Sequence, residues 1–280
     1  MRFRRDVGLD TSQVSDRRGA GPLAVGGGGI IGLIVLVFSL LNGGGGGGLG
    51  VDAPAGDLKS DLSANCRTGE DANQRDDCRI VGVVNSVQKF WEQREPNYRR
   101  ATTVFFNGGV TTACGSASSA VGPFYCPTDQ KIYIDLGFYE DLRNRFGASG
   151  GPFAEAYVIA HEYGHHIENL RGVLERGRSR ETGPQSPGVR VELQADCLAG
   201  MWARGAVETG YIEELTDADI RDGLNAASAI GDDRIQEQAQ GQVSPESWTH
   251  GSSEQRQKWF LTGFRATSEN ACDTFAVRTV

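Results

Sequence analysis

The chain has 280 residues, 39% of them hydrophobic and 23% charged, with a net charge of −8. That is ordinary globular composition, so a folded core is expected. The acidic balance offers no electrostatic footprint for nucleic acid, and no nucleic-acid partner is expected.

No charged residue occurs between Arg18 and Asp52, and inside that gap LAVGGGGIIGLIVLVFSLL, residues 23–41, runs for 19 residues. At about 1.5 Å per residue a helix of that length approaches the ~30 Å hydrocarbon core of a bilayer, which predicts one transmembrane anchor. Arg2, Arg4, Arg5, Arg17 and Arg18 precede it, whereas only Lys59 follows closely. The positive-inside tendency then makes residues 1–22 a cytoplasmic tail of a single-pass cell-membrane protein, with the bulk of the chain extracytoplasmic. A cleaved signal peptide or a glycine segment that never inserts are the competing readings. Residues 42–76, opening with Gly43–Gly48, read as a glycine-rich and polar linker to a domain over residues 77–280.

The six cysteines are an even set in a domain placed outside the cytoplasm, where disulfides persist. Order and local spacing favour Cys66 with Cys78, Cys114 with Cys126 and Cys197 with Cys272, with six reduced thiols as the alternative. DDCRIVGVVNSVQKFWEQ puts Ile80, Val83, Val84, Val87 and Trp91 at helical spacing behind Asp76 and Asp77 as caps. TTVFF (residues 102–106) and KIYID (residues 131–135) have strand composition, and a long loop joins them. GGPFAEAYVIAHEYGHHIENLRG reads as a helix with Pro152 at its first position and Gly172 as its stop. After a solvated segment over residues 173–188, VRVELQADCLAGMWARGAVE is a second helix. TDADIRDGLNAASAIG, capped by Thr216 with Asp219, is a third, and a last begins at Ser252 with Gln255.

Only four histidines occur, and two of them stand four apart inside a helix. His161 and His165 therefore share a face and can offer two imidazole nitrogens to one ion. Neutral imidazoles suit Zn²⁺, which in catalytic sites takes a third protein ligand and leaves a position for water. Glu162 is the candidate general base for that water. Glu168 and Arg171 stand where the metzincin continuation requires Gly and His, so the third ligand lies elsewhere. Glu192 and Asp196, four apart on the next helix, supply it: Glu192 as ligand and Asp196 as the acceptor of a ligand histidine's second N–H, with the reverse assignment left open. His250 is the candidate oxyanion donor, against a cap or core role, and Arg256 is either a second donor or the partner of a carboxylate. Tyr163 and His166 read as packing or solvent-facing.

HEYGHH followed by ELQAD resembles the glutamate-ligand zinc peptidases, the gluzincins. Together with SQVSDRRG, CGSASSAVGPFYCPTDQKIYIDLGFY, VELQADCLAGMWA and HGSSEQRQKWF, it is similar to the membrane-anchored "putative neutral zinc metallopeptidase" family of bacteria across nearly the whole chain. The resemblance implies an α+β, zincin-like domain, mainly helical with a small sheet, in which His161, His165 and Glu192 hold zinc and Glu162 is catalytic. It also suggests KIYID as the edge strand on which an extended peptide lies, unless that strand is internal. The expected activity is zinc-dependent hydrolysis of peptide or protein substrates. The rival expectation is a non-catalytic, membrane-tethered zinc-binding module for extracytoplasmic partners.

Overall fold

The computed structural model describes residues 1–18 and 60–280, so the expected anchor over residues 23–41 lies outside the described residues. Among the described residues no helix is long and apolar enough to cross a membrane.

Strands β1 (Arg2–Phe3) and β2 (Val14–Asp16) come first, followed by helices α1 (Ser60–Asn65), α2 (Gly69–Gln74) and α3 (Asp76–Glu92). Next are β3 (Thr102–Phe106), the hairpin β4 (Gly109–Thr112) and β5 (Gly115–Ser118), β6 (Phe124–Cys126) and β7 (Lys131–Asp135). The second half contains α4 (Phe138–Asn144), α5 (Pro152–Leu170), α6 (Pro187–Gly205), β8 (Ile212–Glu214), α7 (Asp217–Ala229), α8 (Asp232–Gln240) and α9 (Ser253–Arg265). The result is a mixed α+β domain with small sheets.

Period-3.6 patterning makes the helices. Ile80, Val83, Val84, Val87 and Trp91 are all buried along α3, as their spacing predicts. Asp76 and Asp77 sit in its first turn rather than capping it, where negative charge complements the helix dipole. Pro152 starts α5, and Gly172, at φ 69°, follows its end in a left-handed conformation that costs glycine nothing. The capping boxes Thr216 with Asp219 and Ser252 with Gln255 open α7 and α9.

The central sheet has the order β2-β3-β7-β6, with β2, β3 and β7 parallel and β6 antiparallel to β7. KIYID is therefore an internal strand, and the edges are β2 and β6, the latter formed by FYC. Strand alternation separates two cores. Phe105, Ile132 and Ile134 face the helices, whereas Val104, Phe106 and Tyr133 join Phe124 and Val110 in a smaller cluster under the hairpin.

The folded body is larger than the expected residues 77–280. Strand β1 pairs with β8, and β2 pairs with β3. Phe3 is buried in the main core. The side chain of Asn73 exchanges two hydrogen bonds with the Phe3 backbone, at 2.9 and 3.0 Å, and Asn85 does the same with Asp10, at 2.8 and 3.0 Å. Residues 60–76, expected as linker, form α1 and α2 and are tied to α3 by the Cys66–Cys78 disulfide. Short, polar segments of this kind carry too little periodicity to announce themselves; their order comes from tertiary contacts. The other two disulfides join Cys114 to Cys126 and Cys197 to Cys272, so all three pairs are those that spacing favours.

Candidate metal centre

Helices α5 and α6 bring the candidate residues together. A Cβ on Gly164 would lie 2.9 Å from both the Cα and the carbonyl oxygen of Ala195, so the two backbones nearly touch at that crossing. Gly164 lies between His161 and His165 in sequence, and Ala195 lies between Glu192 and Asp196. The closest approach therefore presses the two pairs toward each other.

His161 Nε2 is 3.2 Å from one carboxylate oxygen of Glu192, and His165 Nε2 is 3.6 Å from the other. One donor atom from each of the three residues lies within 4.8 Å of the others, so the group could hold a metal ion. Donors about 2.0–2.1 Å from a tetrahedral zinc ion stand about 3.3 Å apart, close to both measured separations. The donor chemistry fits as well, because both Nδ1 atoms are engaged elsewhere and each imidazole turns Nε2 inward.

Those outward bonds differ. His161 Nδ1 is 2.9 Å from Asp196, whose carboxylate also accepts from Tyr157 Oη at 2.6 Å and from Arg256 Nε at 2.9 Å and Nη2 at 3.1 Å. Burial works against that carboxylate, but the Arg256 guanidinium and His161 outweigh it and hold its carboxyl below the usual range. Asp196 thus orients His161 instead of facing the ligand cluster, and Arg256 is its ion partner. His165 Nδ1 is 2.8 Å from Glu168, which is fully buried and has one oxygen without a hydrogen-bond partner among the described residues. Burial pushes the Glu168 carboxyl up to about 7 despite the opposing pull of His165. Its position three residues after His165 on the same helix face was the available signal for this pairing.

Glu162 is buried, makes no hydrogen bond or ion pair with a described residue, and lines a cleft with His161, His165 and Glu192. Burial raises its pKa, against the lowering influence of His161 and His165. His250 lines the same cleft. Burial disfavours its charged form, but Glu192 and Asp232 outweigh that and raise its pKa. Asp232, which no local pattern singles out, holds this residue through its side chain and backbone. The walls are largely apolar, with Phe138, Val158, Leu174, Val191 and Ile230 contributing. Leu174 is buried and Glu175 and Arg178 reach the cleft, so the expected solvated segment over residues 173–188 forms part of its border. Neither Tyr163 nor His166 faces solvent. Tyr163 Oη lies 3.1 Å from Thr103 Oγ1, and His166 bonds through both ring nitrogens.

The class of structure so defined is an α+β domain in which the HExxH helix meets a glutamate from the following helix, in a group that could hold a metal ion. The sequence profile of the family described as "Putative neutral zinc metallopeptidase" matches residues 4–275, and the chain belongs to that family. The chain is 52% identical over 231 residues to the uncharacterized protein Rv2575 of Mycobacterium tuberculosis H37Rv, covering 80% of this chain and 77% of the relative. It is 38% identical over 286 residues to the uncharacterized protein YpfJ of Escherichia coli K12, covering 95% and 96%. No solved structure matches.

Proposed function

We propose that the protein is a zinc-dependent endopeptidase in which His161, His165 and Glu192 hold the metal and Glu162 is the general base. The observation that carries this reading is the convergence of both Nε2 atoms on the Glu192 carboxylate, beside a buried glutamate that makes no hydrogen bond or ion pair with a described residue. Zinc, when bound, polarises a carbonyl and acidifies water. Glu162 takes the proton of the attacking water and returns it to the leaving amine, a role favoured by a carboxyl raised through burial. His250, whose pKa rises against burial because of Glu192 and Asp232, donates Nδ1–H to Asp232 and in that doubly protonated form keeps Nε2–H for the developing oxyanion. Asp196 and Glu168 fix the ligand tautomers by accepting the Nδ1 protons.

The test is cleavage of a denatured protein or a peptide library by the purified, zinc-loaded chain. Glu162→Gln should retain zinc and lose about 10²–10⁴-fold in rate, since it removes the base and no ligand. Wild type that binds zinc and cleaves nothing would instead leave a zinc-binding module.

The proposal also attaches the domain to a membrane through the apolar run 23–41 and sets it in an oxidising compartment. Because residues 1–18 are built into the domain, that run enters and leaves on one face, and the single-pass topology with residues 1–22 as a separate cytoplasmic tail is set aside. Its supports are the uncharged apolar run and the three disulfides among the described residues. Retention in washed membranes, lost on deletion of residues 23–41, tests the attachment.

A further inference from the structure

Edge strand β6 is fastened to the metal-site helix by a chain of side chains that the hydrolytic scheme does not use. His166 Nε2 lies 2.6 Å from the carbonyl oxygen of Arg99, on the segment entering β3. A carbonyl only accepts, so Nε2 carries the proton and the neutral ring presents Nδ1 as an acceptor. Among the described residues that nitrogen is the acceptor within reach of the Tyr125 hydroxyl, which fixes the direction. Tyr125 Oη, 3.0 Å away, must then donate to Nδ1, and it accepts in turn from Asn169 Nδ2 at 2.9 Å. Each bond has one allowed direction, and the two α5 residues, three apart, grip a single phenol from β6.

The opposite face of the strand is held too. Phe124 stacks on Tyr133 with centroids 5.1 Å apart, and Cys126 is bridged to Cys114 beside the hairpin. β6 ends the sheet and has no partner on its outer side among the described residues. Gly122, Pro123, Phe124 and Tyr125 line the cleft with His161, Glu162 and His165. An unpaired strand edge beside a reactive centre is a template for an extended chain, provided that its distance from that centre is fixed. A buried polar chain costs desolvation that apolar packing would avoid; what it adds is direction and register.

We propose that Tyr125, His166 and Asn169 are positioning residues that set the register of β6 against α5, so that an extended peptide paired to β6 meets Glu162 at a defined place. This rests on the peptidase reading of the site.

The experiment compares wild type, Tyr125→Phe and Asn169→Ala, all zinc-loaded, on peptides of eight residues and on dipeptide amides, together with amide exchange at Phe124, Tyr125 and Cys126. Tyr125→Phe keeps the ring and removes both bonds. It should lower the ratio of kcat/KM for long over short peptides about five- to tenfold, speed exchange in β6 about tenfold, and leave zinc content unchanged. Asn169→Ala, which spares the bond between Tyr125 and His166, should shift both readouts in the same direction by less. Equal losses on long and short peptides, or unaltered β6 exchange, would overturn the proposal. If wild type cleaves no peptide, the peptidase reading fails, while the exchange data still decide whether the clamp exists.

Discussion

Asp232 accepts the backbone N–H of His250 at 2.7 Å, and its other carboxylate oxygen stands 3.3 Å from that residue's Nδ1. It also takes the N–H groups of Thr249 at 2.7 Å and Gly251 at 3.0 Å, so one buried carboxylate shapes the turn that carries the histidine. Burial opposes its ionisation, but the bond and charge of His250 and the backbone donors lower its pKa below the ordinary 3.8. A depressed carboxylate contributes stability that is present above its unfolded value and lost as pH falls through the folded one. Asp232→Asn should therefore cost about 2 kcal/mol at pH 7. Denaturant unfolding should show this gap begin to narrow below about pH 4, the unfolded value, and close as pH falls through the lower folded value, where the native carboxylate protonates. Cleavage should fall in the same variant at pH 7 while zinc remains bound.

The two carboxylates behind the ligand histidines should respond differently. Removing Asp196 strands Arg256, which is only 2% exposed, as a buried unpaired charge. Asp196→Ala should thus lose about 3–5 kcal/mol of stability in addition to metal affinity. Among the described residues Glu168 is ion-paired to His165 alone, and one of its oxygens has no hydrogen-bond partner. Glu168→Gln should weaken zinc binding about tenfold with little loss of stability. Chelator competition and urea unfolding of both variants separate the two effects. Equal destabilisation would show that the distinction is unfounded.

Gly164→Ala reverses a familiar sign. In an exposed helix interior, alanine is better than glycine by about 1 kcal/mol. Here the added methyl meets Ala195 at 2.9 Å, at a backbone that cannot yield as a side-chain end can. The expected outcome is a loss of about 1–3 kcal/mol together with weaker zinc binding, because spreading α5 from α6 separates the histidines from Glu192. A more stable variant with intact affinity would contradict the account of the crossing.

Metal removal should register as a thermal shift. At zinc 100-fold above its dissociation constant, binding to the folded state adds about 2.7 kcal/mol. Tm should then drop by about 5–10 °C on chelation and recover on adding zinc back. His161→Ala and Glu192→Ala should melt at one temperature with or without chelator.

The residue pairs of the candidate site were legible because both obey helical spacing within one element: His161 with His165, and Glu192 with Asp196. The buried stripe of α3, the capping boxes of α7 and α9 and the disulfides Cys66–Cys78 and Cys114–Cys126, each spanning 12 residues, follow from equally local signals, whereas Cys197–Cys272, 75 residues apart, follows from cysteine order alone. What was missed depends on distance in sequence. Asp232 reaches His250 across 18 residues, and Tyr125 reaches His166 across 41. Strands as short as FYC have no readable period, which is why the sheet edge was sought in KIYID rather than in β6.

The opening strands carry a topographic consequence. Phe3 packs its ring over the Cα of Gly82, two asparagine amides act as stand-in strand partners for Phe3 and Asp10, and Val14–Asp16 completes the outer margin of the sheet. A lipid layer laid between these eighteen residues and α3 would uncover an aromatic ring and strip both asparagines of their partners. Whichever compartment bathes the candidate metal centre must therefore bathe the amino terminus as well.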